Sequence, residues 1–337
     1  MKPTSLPIVL SLRTLLLVGL ALLAGCRKPD APAAGDVPAA AVLRVGFFPN
    51  LTHATALVGL HETSAKGAQG WFESRTGAKV EWVPFNAGPS AIEALLAGTV
   101  DVTYVGPSPV INGFTRTGGA DIRVLAGATR GGAALVVPKD SKATTAKDFK
   151  GRKIASPQLG NTQDISARAW LRAGGLVVRP TGGDAFVVPT PNPDQLDLFK
   201  RGQLDGVWTV EPWVARLELD AEGKVLVEET DVLTTVVAAS VKTLERKAEL
   251  TRKFLAAHDE LTRQIATDAA WAKPLVNAAL AKATTRAVPE PLLNRAWARL
   301  EFSTDVKPDD FTAMQRDAKT AGLLPREADL SKLIAKP

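Results

Sequence analysis

Residues 95–110, LLAGTVDVTYVGPSPV, and residues 198–214, LFKRGQLDGVWTVEPWV, carry one pattern twice. In each, a Gly is followed three residues later by an Asp, then by a β-prone run, then by a Pro that opens a new segment. Gly98, Asp101 and Pro107 mark the first copy, and Gly202, Asp205 and Pro212 the second. The Val-rich and aromatic run reads as a strand, and in the first copy Ser108 reads as the cap of the next helix with Pro109 at its first position. The first copy delivers a hydroxyl at Ser108 and the second a carboxylate at Glu211.

Working outward, β-prone runs alternate with helical ones on both sides of each copy. Residues 43–48, 79–85, 100–105, 123–126 and 133–137 read as strands, with helices over 53–64 and 92–97 between them. A second series has strands at 153–156, 185–189 and 204–209 and helices at 165–172 and 195–201, the first of these stopped by Gly174-Gly175. Alternation of this kind predicts an α/β fold with mainly parallel sheets. After a last strand over 234–241 the chain is almost wholly helical, and this tail is expected to wrap the first unit.

The front of the chain is of another kind. Lys2 and Arg13 precede a short apolar run that ends in Leu23-Ala24-Gly25-Cys26, the order of an export signal over 1–25. A spanning helix needs about 20 apolar residues, more than this run offers. Cys26 is the one cysteine of the chain, which excludes an internal disulfide and any multi-cysteine metal site. Residues 26–41, rich in Ala and Pro, read as a flexible tether.

The net charge is +6, and the basic residues are scattered without an aromatic or arginine-rich cluster. Nucleic-acid binding therefore has no support, and a mild attraction for anions is what remains. Ligands of open α/β sheets sit at the carboxyl ends of strands, so the residues following each strand are the candidates. These are Asn50 and His53, Ser90 with Glu93 as a capping box, Ser108 as a helix N-cap, Arg130 as a counter-charge, Asn161 with Thr162, and Glu211 with Trp213. Helix starts offer unpaired N–H groups and about half a positive charge, which suits an anion. Glu211 is expected either to accept a bond from a ligand donor or to cap its own helix, and Trp213 to close over an apolar ligand tail.

Catalysis has little to work with. His258 falls inside a long helical run, His53 and His61 lack a third metal ligand, and no nucleophile elbow, phosphate loop or dinucleotide fingerprint occurs in context. No cofactor and no metal are expected.

The segments VGFFPNLTHA (45–54), ALLAGTVDVTYVGPSP (94–109), GNTQD (160–164) and GQLDGVWTVEPW (202–213), with the helical tail, resemble the aliphatic sulfonate, nitrate and taurine group of ABC-transporter solute-binding proteins. Leu-Ala-Gly-Cys resembles the lipobox of bacterial lipoproteins, in which the Cys, here Cys26, is lipidated. The resemblance implies a type II periplasmic-binding-protein fold: two α/β lobes joined by a two-strand hinge, 42–137 with 238–333 as lobe one and 138–237 as lobe two. It implies a monomer in the periplasm or cell envelope, anchored to the membrane through Cys26, that serves ABC permease subunits. Its ligand is expected to be a small oxyanion, an aliphatic sulfonate or sulfate ester, contacted by Asn50, His53, Ser90, Ser108, Arg130, Asn161, Thr162, Glu211 and Trp213. A binder of a neutral or cationic nitrogen heterocycle held by Glu211 and Trp213, or an enzyme with His53 as base, are the alternatives.

Overall fold

A computed structural model describes residues 41–335. The predicted leader, Cys26 and the tether up to residue 40 lie outside the described residues. The described chain builds two sheets. The first contains β1 (Val42–Phe47), β2 (Lys79–Pro84), β3 (Val102–Val105), β4 (Ile122–Gly131), β10 (Leu233–Ser240) and β11 (Leu300–Glu301) in the order β11-β4-β10-β3-β1-β2. The second contains β5 (Ala133–Pro138), β6 (Lys153–Ser156), β7 (Phe186–Pro189), β8 (Gly206–Val210) and β9 (Gly223–Glu229) in the order β7-β6-β8-β5-β9.

Each sheet is parallel on one side and antiparallel on the other, so the expectation of mainly parallel sheets is corrected. β1 pairs parallel with β2 and β3, whereas β10 runs antiparallel to β3 and β4. In the second sheet β6 is parallel to β7 and β8, and β5 is antiparallel to β8 and β9. Of the antiparallel strands, β5 and β10 are those on which the chain enters the second sheet and returns to the first.

Seven helices follow the strands of the two units: α1 (Ala54–Lys66), α2 (Trp71–Thr76), α3 (Gly88–Ala97), α4 (Pro107–Arg116), α5 (Thr162–Ala173), α6 (Asn192–Lys200) and α7 (Trp213–Asp220). The tail adds α8 (Val241–Arg246), α9 (Ala248–Thr267), α10 (Ala269–Thr284), α11 (Glu290–Trp297) and α12 (Pro308–Thr320). One core joins β1 and β3 to α1, α9 and α10 through Leu43, Val45, Leu57, Phe254, Leu261 and Val276. The other face of the same sheet packs against α3, α4 and α12 through Leu95, Phe114, Val124, Val236, Phe311 and Met314. The tail thus covers both faces of the first sheet. The second sheet has its own two cores, one under α5 and one under α6 and α7.

The repeated sequence has one physical meaning in both places. Asp101 N donates to Arg44 O at 2.9 Å, and its Oδ2 accepts from Arg44 N at 2.8 Å. Asp205 does the same with Lys153, N to O at 2.9 Å and Oδ2 from N at 2.9 Å. In each unit the Asp pins the edge of a parallel neighbour, β1 or β6, before the following strand, β3 or β8, begins. Gly98 and Gly202 precede it at φ 74° and 66°, where a side chain would be strained.

The chain leaves the first sheet at Gly131-Gly132, since β5 already pairs in the second, and returns before β10. Both crossings fall earlier than the expected Val137 and Val237. They lie side by side: Gly131 N donates to Val232 O at 2.9 Å, and a Cβ on Gly131 would meet Arg299 O at 2.6 Å and Thr230 O at 3.0 Å. Close approach of backbone, not only a φ of 70°, requires glycine there.

Candidate functional site

Both units contribute to one cleft. From the first come Phe48, Asn50, Thr52 and His53 after β1, Asn86 to Gly88 before α3, and Gly106 with Pro109 at the start of α4. From the second come Pro157 and Asn161 to Gln163 before and within α5, Asn192 at the start of α6, and Val210 at the end of β8, with Thr234 of β10 beside the crossing. Starts of α3, α4, α5 and α6, and the turn leading into α1, therefore converge on one space. Among the described residues that line it there is no Asp, Glu, Lys or Arg.

Local chemistry fixes each wall. Asn161 is the N-cap of α5, its Oδ1 accepting from Asp164 N at 2.8 Å, while its Nδ2 donates to Gln163 Oε1 at 3.0 Å. Asp164 is fully buried behind this turn. It accepts from Ser156 Oγ at 3.0 Å, from Gly160 N at 2.9 Å and from Arg168 Nε at 3.0 Å, which clamps the GNTQD loop to β6. Asn192 Oδ1 accepts from Thr209 Oγ1 at 3.1 Å. Thr52 O accepts from Thr129 Oγ1 at 2.7 Å, so the turn after β1 is tied to β4.

His53 is buried, its ring 4.4 Å from that of Phe48. Burial pulls its pKa down to about 3, so the ring is neutral at ordinary pH. Nδ1 accepts from Phe48 N at 3.3 Å, which leaves the proton on Nε2. The cleft thus presents a neutral donor, an amide-rich rim and helix N-termini.

The walls nearly touch. A Cβ on Gly106 would lie 2.5 Å from Thr162 Oγ1 across the cleft. The centre of a water-sized sphere has about 30 Å³ to occupy. Beside the cleft, Trp213 Nε1 donates to Asn50 Oδ1 at 3.1 Å, and Leu51 N donates to Glu211 O at 3.0 Å.

Of the nine predicted contacts, Asn50, His53, Asn161 and Thr162 come together in this lining, and five stand elsewhere. Ser90 is the third residue of α3, not its cap. The helix begins at Gly88-Pro89, Ala87 holds the cap position without a side-chain bond, and Ser90 Oγ donates to Ala87 O at 2.9 Å. Ser108 likewise sits inside α4, whose cap is Gly106 with Pro107 at the first helical position. Its buried Oγ lines a second cavity instead.

Arg130 is not a counter-charge of the cleft. β4 runs through to Gly131 instead of ending at Ala126, and strand alternation turns Arg130 toward Asp231 (2.8 Å) and Asp310 (2.8 Å). Both carboxylates hold the guanidinium above its already high pKa. Glu211 takes the capping alternative. Oε2 accepts from Ala215 N at 3.1 Å in α7 and Oε1 from Arg299 Nη1 at 3.0 Å, fully buried and away from the cleft. Trp213 spends its N–H on Asn50 and is outside the lining.

Thr52, Asn86, Gln163, Asn192 and Thr234 were not anticipated. Asn192 carries a local signal, the turn-forming PTPNPD that begins at Pro189. Thr234 had none, because its place depends on where β10 returns. No group of three or more His, Cys, Asp or Glu able to hold a metal occurs among the described residues, and none of their helices is long and apolar enough to cross a membrane.

Comparison with known proteins adds a lineage to this geometry. A family model described as "NMT1-like family" matches residues 36–280. The "Taurine-binding periplasmic protein" of Escherichia coli (strain K12) is 30% identical over 195 residues, covering 57% of this chain and 58% of that protein. The "Putative aliphatic sulfonates-binding protein" of the same organism is 26% identical over 275 residues, 77% of this chain and 80% of that one. The chain thus spans less than two thirds of the first relative and most of the second. Among solved structures, the alkanesulfonate-binding protein SsuA from Xanthomonas axonopodis pv. citri bound to MOPS superposes with a TM-score of 0.71 at 22% identity, covering 88% of this chain and 99% of that one. At that identity the likeness establishes the fold, which is the two-sheet α/β fold of periplasmic binding proteins.

Proposed function

The chain belongs to the NMT1-like family, and from that premise we propose that it is the solute-binding subunit of an ABC importer, taking a small monoanionic oxyanion, an aliphatic sulfonate or sulfate ester. The observation that carries this is the convergence of helix starts on a cleft whose described lining has no charged side chain. Affinity near 1 µM needs about 8 kcal/mol. A helix terminus contributes about 0.3–1 kcal/mol to a nearby anion, up to about 2 when partly buried, and a neutral hydrogen bond about 0.5–1.5. No one group is enough, so the several helix starts act together with His53 Nε2–H and the amides of Asn161 and Asn192.

The same wall discriminates. A sulfonate or sulfate monoester carries one charge and no proton at neutral pH, whereas a dianion would bring a second charge into a site with no counter-ion. Glu211 and Trp213, which a nitrogen heterocycle would need, are engaged by Arg299 and Asn50. His53 is too weak a base for proton abstraction near pH 7 and already uses Nδ1.

In this proposal the two sheets with their helices act as lobes. Residues 42–131 and 233–335 form one, 132–229 the other, and the paired crossings form the hinge. Cys26 carries the lipid, and the protein works in the periplasm or cell envelope beside its permease. Calorimetry on the chain from Arg27 against alkanesulfonates, sulfate esters, nitrate, phosphonates and pyrimidines tests the ligand. Micromolar binding of a sulfonate or sulfate ester is expected, and binding of a pyrimidine with no response to any oxyanion overturns it. Intact mass of the membrane fraction, with Cys26→Ser as control, tests the anchor.

A further inference from the structure

A second cavity lies beside the cleft, where the chain returns from the second sheet to the first. Its walls come from both units: Ser108 in α4, Thr162 in α5, Glu229 at the end of β9, and Asp310 and Asp317 on α12. Thr162 also lines the cleft, so the two spaces share a wall. This cavity offers about 280 Å³, against about 30 Å³ for the cleft.

Charge in this lining has one sign. Glu229, Asp231, Asp309, Asp310 and Asp317 face it, with no Lys or Arg among the described lining residues. Arg130 neutralises Asp231 and Asp310 from behind, and Asp309 is exposed to water. Glu229 and Asp317 are left over. Neither has a cation from another element: Glu229 has only the neutral side chains of Ser166 and Trp208 beside it, its Oε2 without a hydrogen-bond partner, and Asp317 has only its sequence neighbour Arg316. The two carboxylates stand on opposite sides of the seam, close enough to repel, and burial raises the pKa of each. Ser108 is an independent sign: it lines the same cavity, is 1% exposed, and its Oγ has no partner. A buried acceptor without a donor is the exception in folded proteins.

The geometry points to a site for a small organic cation of the primary-ammonium class, held by Glu229 and Asp317 with Ser108 Oγ as the third acceptor. An ammonium has three N–H donors and no acceptor, which answers three acceptor oxygens. A chelated metal fits less well, since no three metal-ligating side chains converge among the described residues. Because Glu229 lies in the second sheet and Asp317 on the helical cover of the first, the cation bridges the two units next to the cleft. Cation binding and closure of the cleft are then coupled, each favouring the other.

The test uses the chain from Arg27, which contains all of the described residues 41–335. Thermal melting is followed at neutral pH in methylammonium chloride, with sodium and potassium chloride at equal ionic strength as the other arms. A saturable rise with methylammonium alone is expected, lost in the Glu229→Gln/Asp317→Asn double variant and weakened in Ser108→Ala. Without amine the double variant is expected to melt no lower than wild type, because two uncompensated charges have gone. An equal rise with sodium or potassium, a rise that survives in the double variant, or no rise overturns the site. Oxyanion affinity, measured separately in amine-free buffer, reports on the cleft, so either proposal can fail alone.

Discussion

Arg299 Nη1 donates to Glu211 Oε1 at 3.0 Å, linking the turn before β11 in the first unit to the end of β8 in the second. The same guanidinium binds Glu218 at 2.8 Å and Glu228 at 3.2 Å, so one positive charge is divided among three carboxylates of the second unit. Arg295 adds a second cation to Glu218 at 2.9 Å. Backbone bonds reinforce the junction, with Glu211 N donating to Gly132 O at 2.8 Å. The residue expected to read a ligand is part of the fastening between the units.

Glu211 therefore gives a pH signature. Burial outweighs its share of Arg299 and lifts its pKa from 4.5 to about 7. The protonated form is favoured in the fold, so the stability this group contributes is full below the unfolded value and is lost as pH rises through about 7. Melting of wild type and Glu211→Gln between about pH 5 and 8 should show wild type losing ground to the variant as pH rises. A constant difference would mean that Glu211 does not titrate in this window.

His53 titrates with the opposite sign. Its folded pKa of about 3 lies below the usual 6.5, so stability is present above 6.5 and is lost as the unfolded chain takes up protons below it. His258, buried between Tyr104 and Gly127 O and lowered to about 4, acts the same way. Nitrogen chemical shifts should show both rings as neutral Nε2–H tautomers at about pH 5 to 7, above both folded pKa values. His53→Ala should weaken oxyanion binding by roughly fivefold, the loss of one neutral hydrogen bond of about 1 kcal/mol.

Arg130 separates charge from site. In Arg130→Gln, Asp310 is left half-buried with the amide of Lys307 as its remaining donor, while Asp231 is 80% exposed at its side chain and returns to water. The loss should fall at the lower end of the about 3–5 kcal/mol seen when a buried pair is broken. Oxyanion affinity should stay within about twofold, because Arg130 is spent on Asp231 and Asp310 and is absent from the cleft lining. A large loss of affinity with unchanged melting would restore Arg130 to the site.

What the sequence made legible follows from where its signals are local. The Gly-Asp-strand-Pro device was readable because each part acts within a few residues, and in both units Asp101 and Asp205 make the same pair of bonds. Asn161 was readable as a cap for the same reason. The tips were not. Whether Ser108, Glu211 or Arg130 faces the cleft depends on a helix starting two residues early, on Arg299 arriving from 88 positions away, and on β4 continuing past Ala126. β9 and β11 carry no local signal of their place, since their partners, β5 and β4, are distant in the chain. In each repeat a residue just before the expected tip lines the cleft, Gly106 in one, with Pro109 beyond it, and Val210 in the other.

Gly106 supplies the most direct test of closure. Its φ of −66° suits any residue, so alanine there brings no backbone strain, yet the added Cβ would lie 2.5 Å from Thr162 Oγ1 on the facing wall. That contact exists only when the two units meet. Gly106→Ala should leave the melting temperature of the free chain nearly unchanged if the units can part slightly, while oxyanion affinity falls by tenfold or more, about 1.4 kcal/mol. Thr162→Ala removes the opposing oxygen, so the Gly106→Ala/Thr162→Ala double variant should recover affinity relative to Gly106→Ala alone. Strictly additive losses in this cycle would show that the walls do not press on each other when ligand is bound.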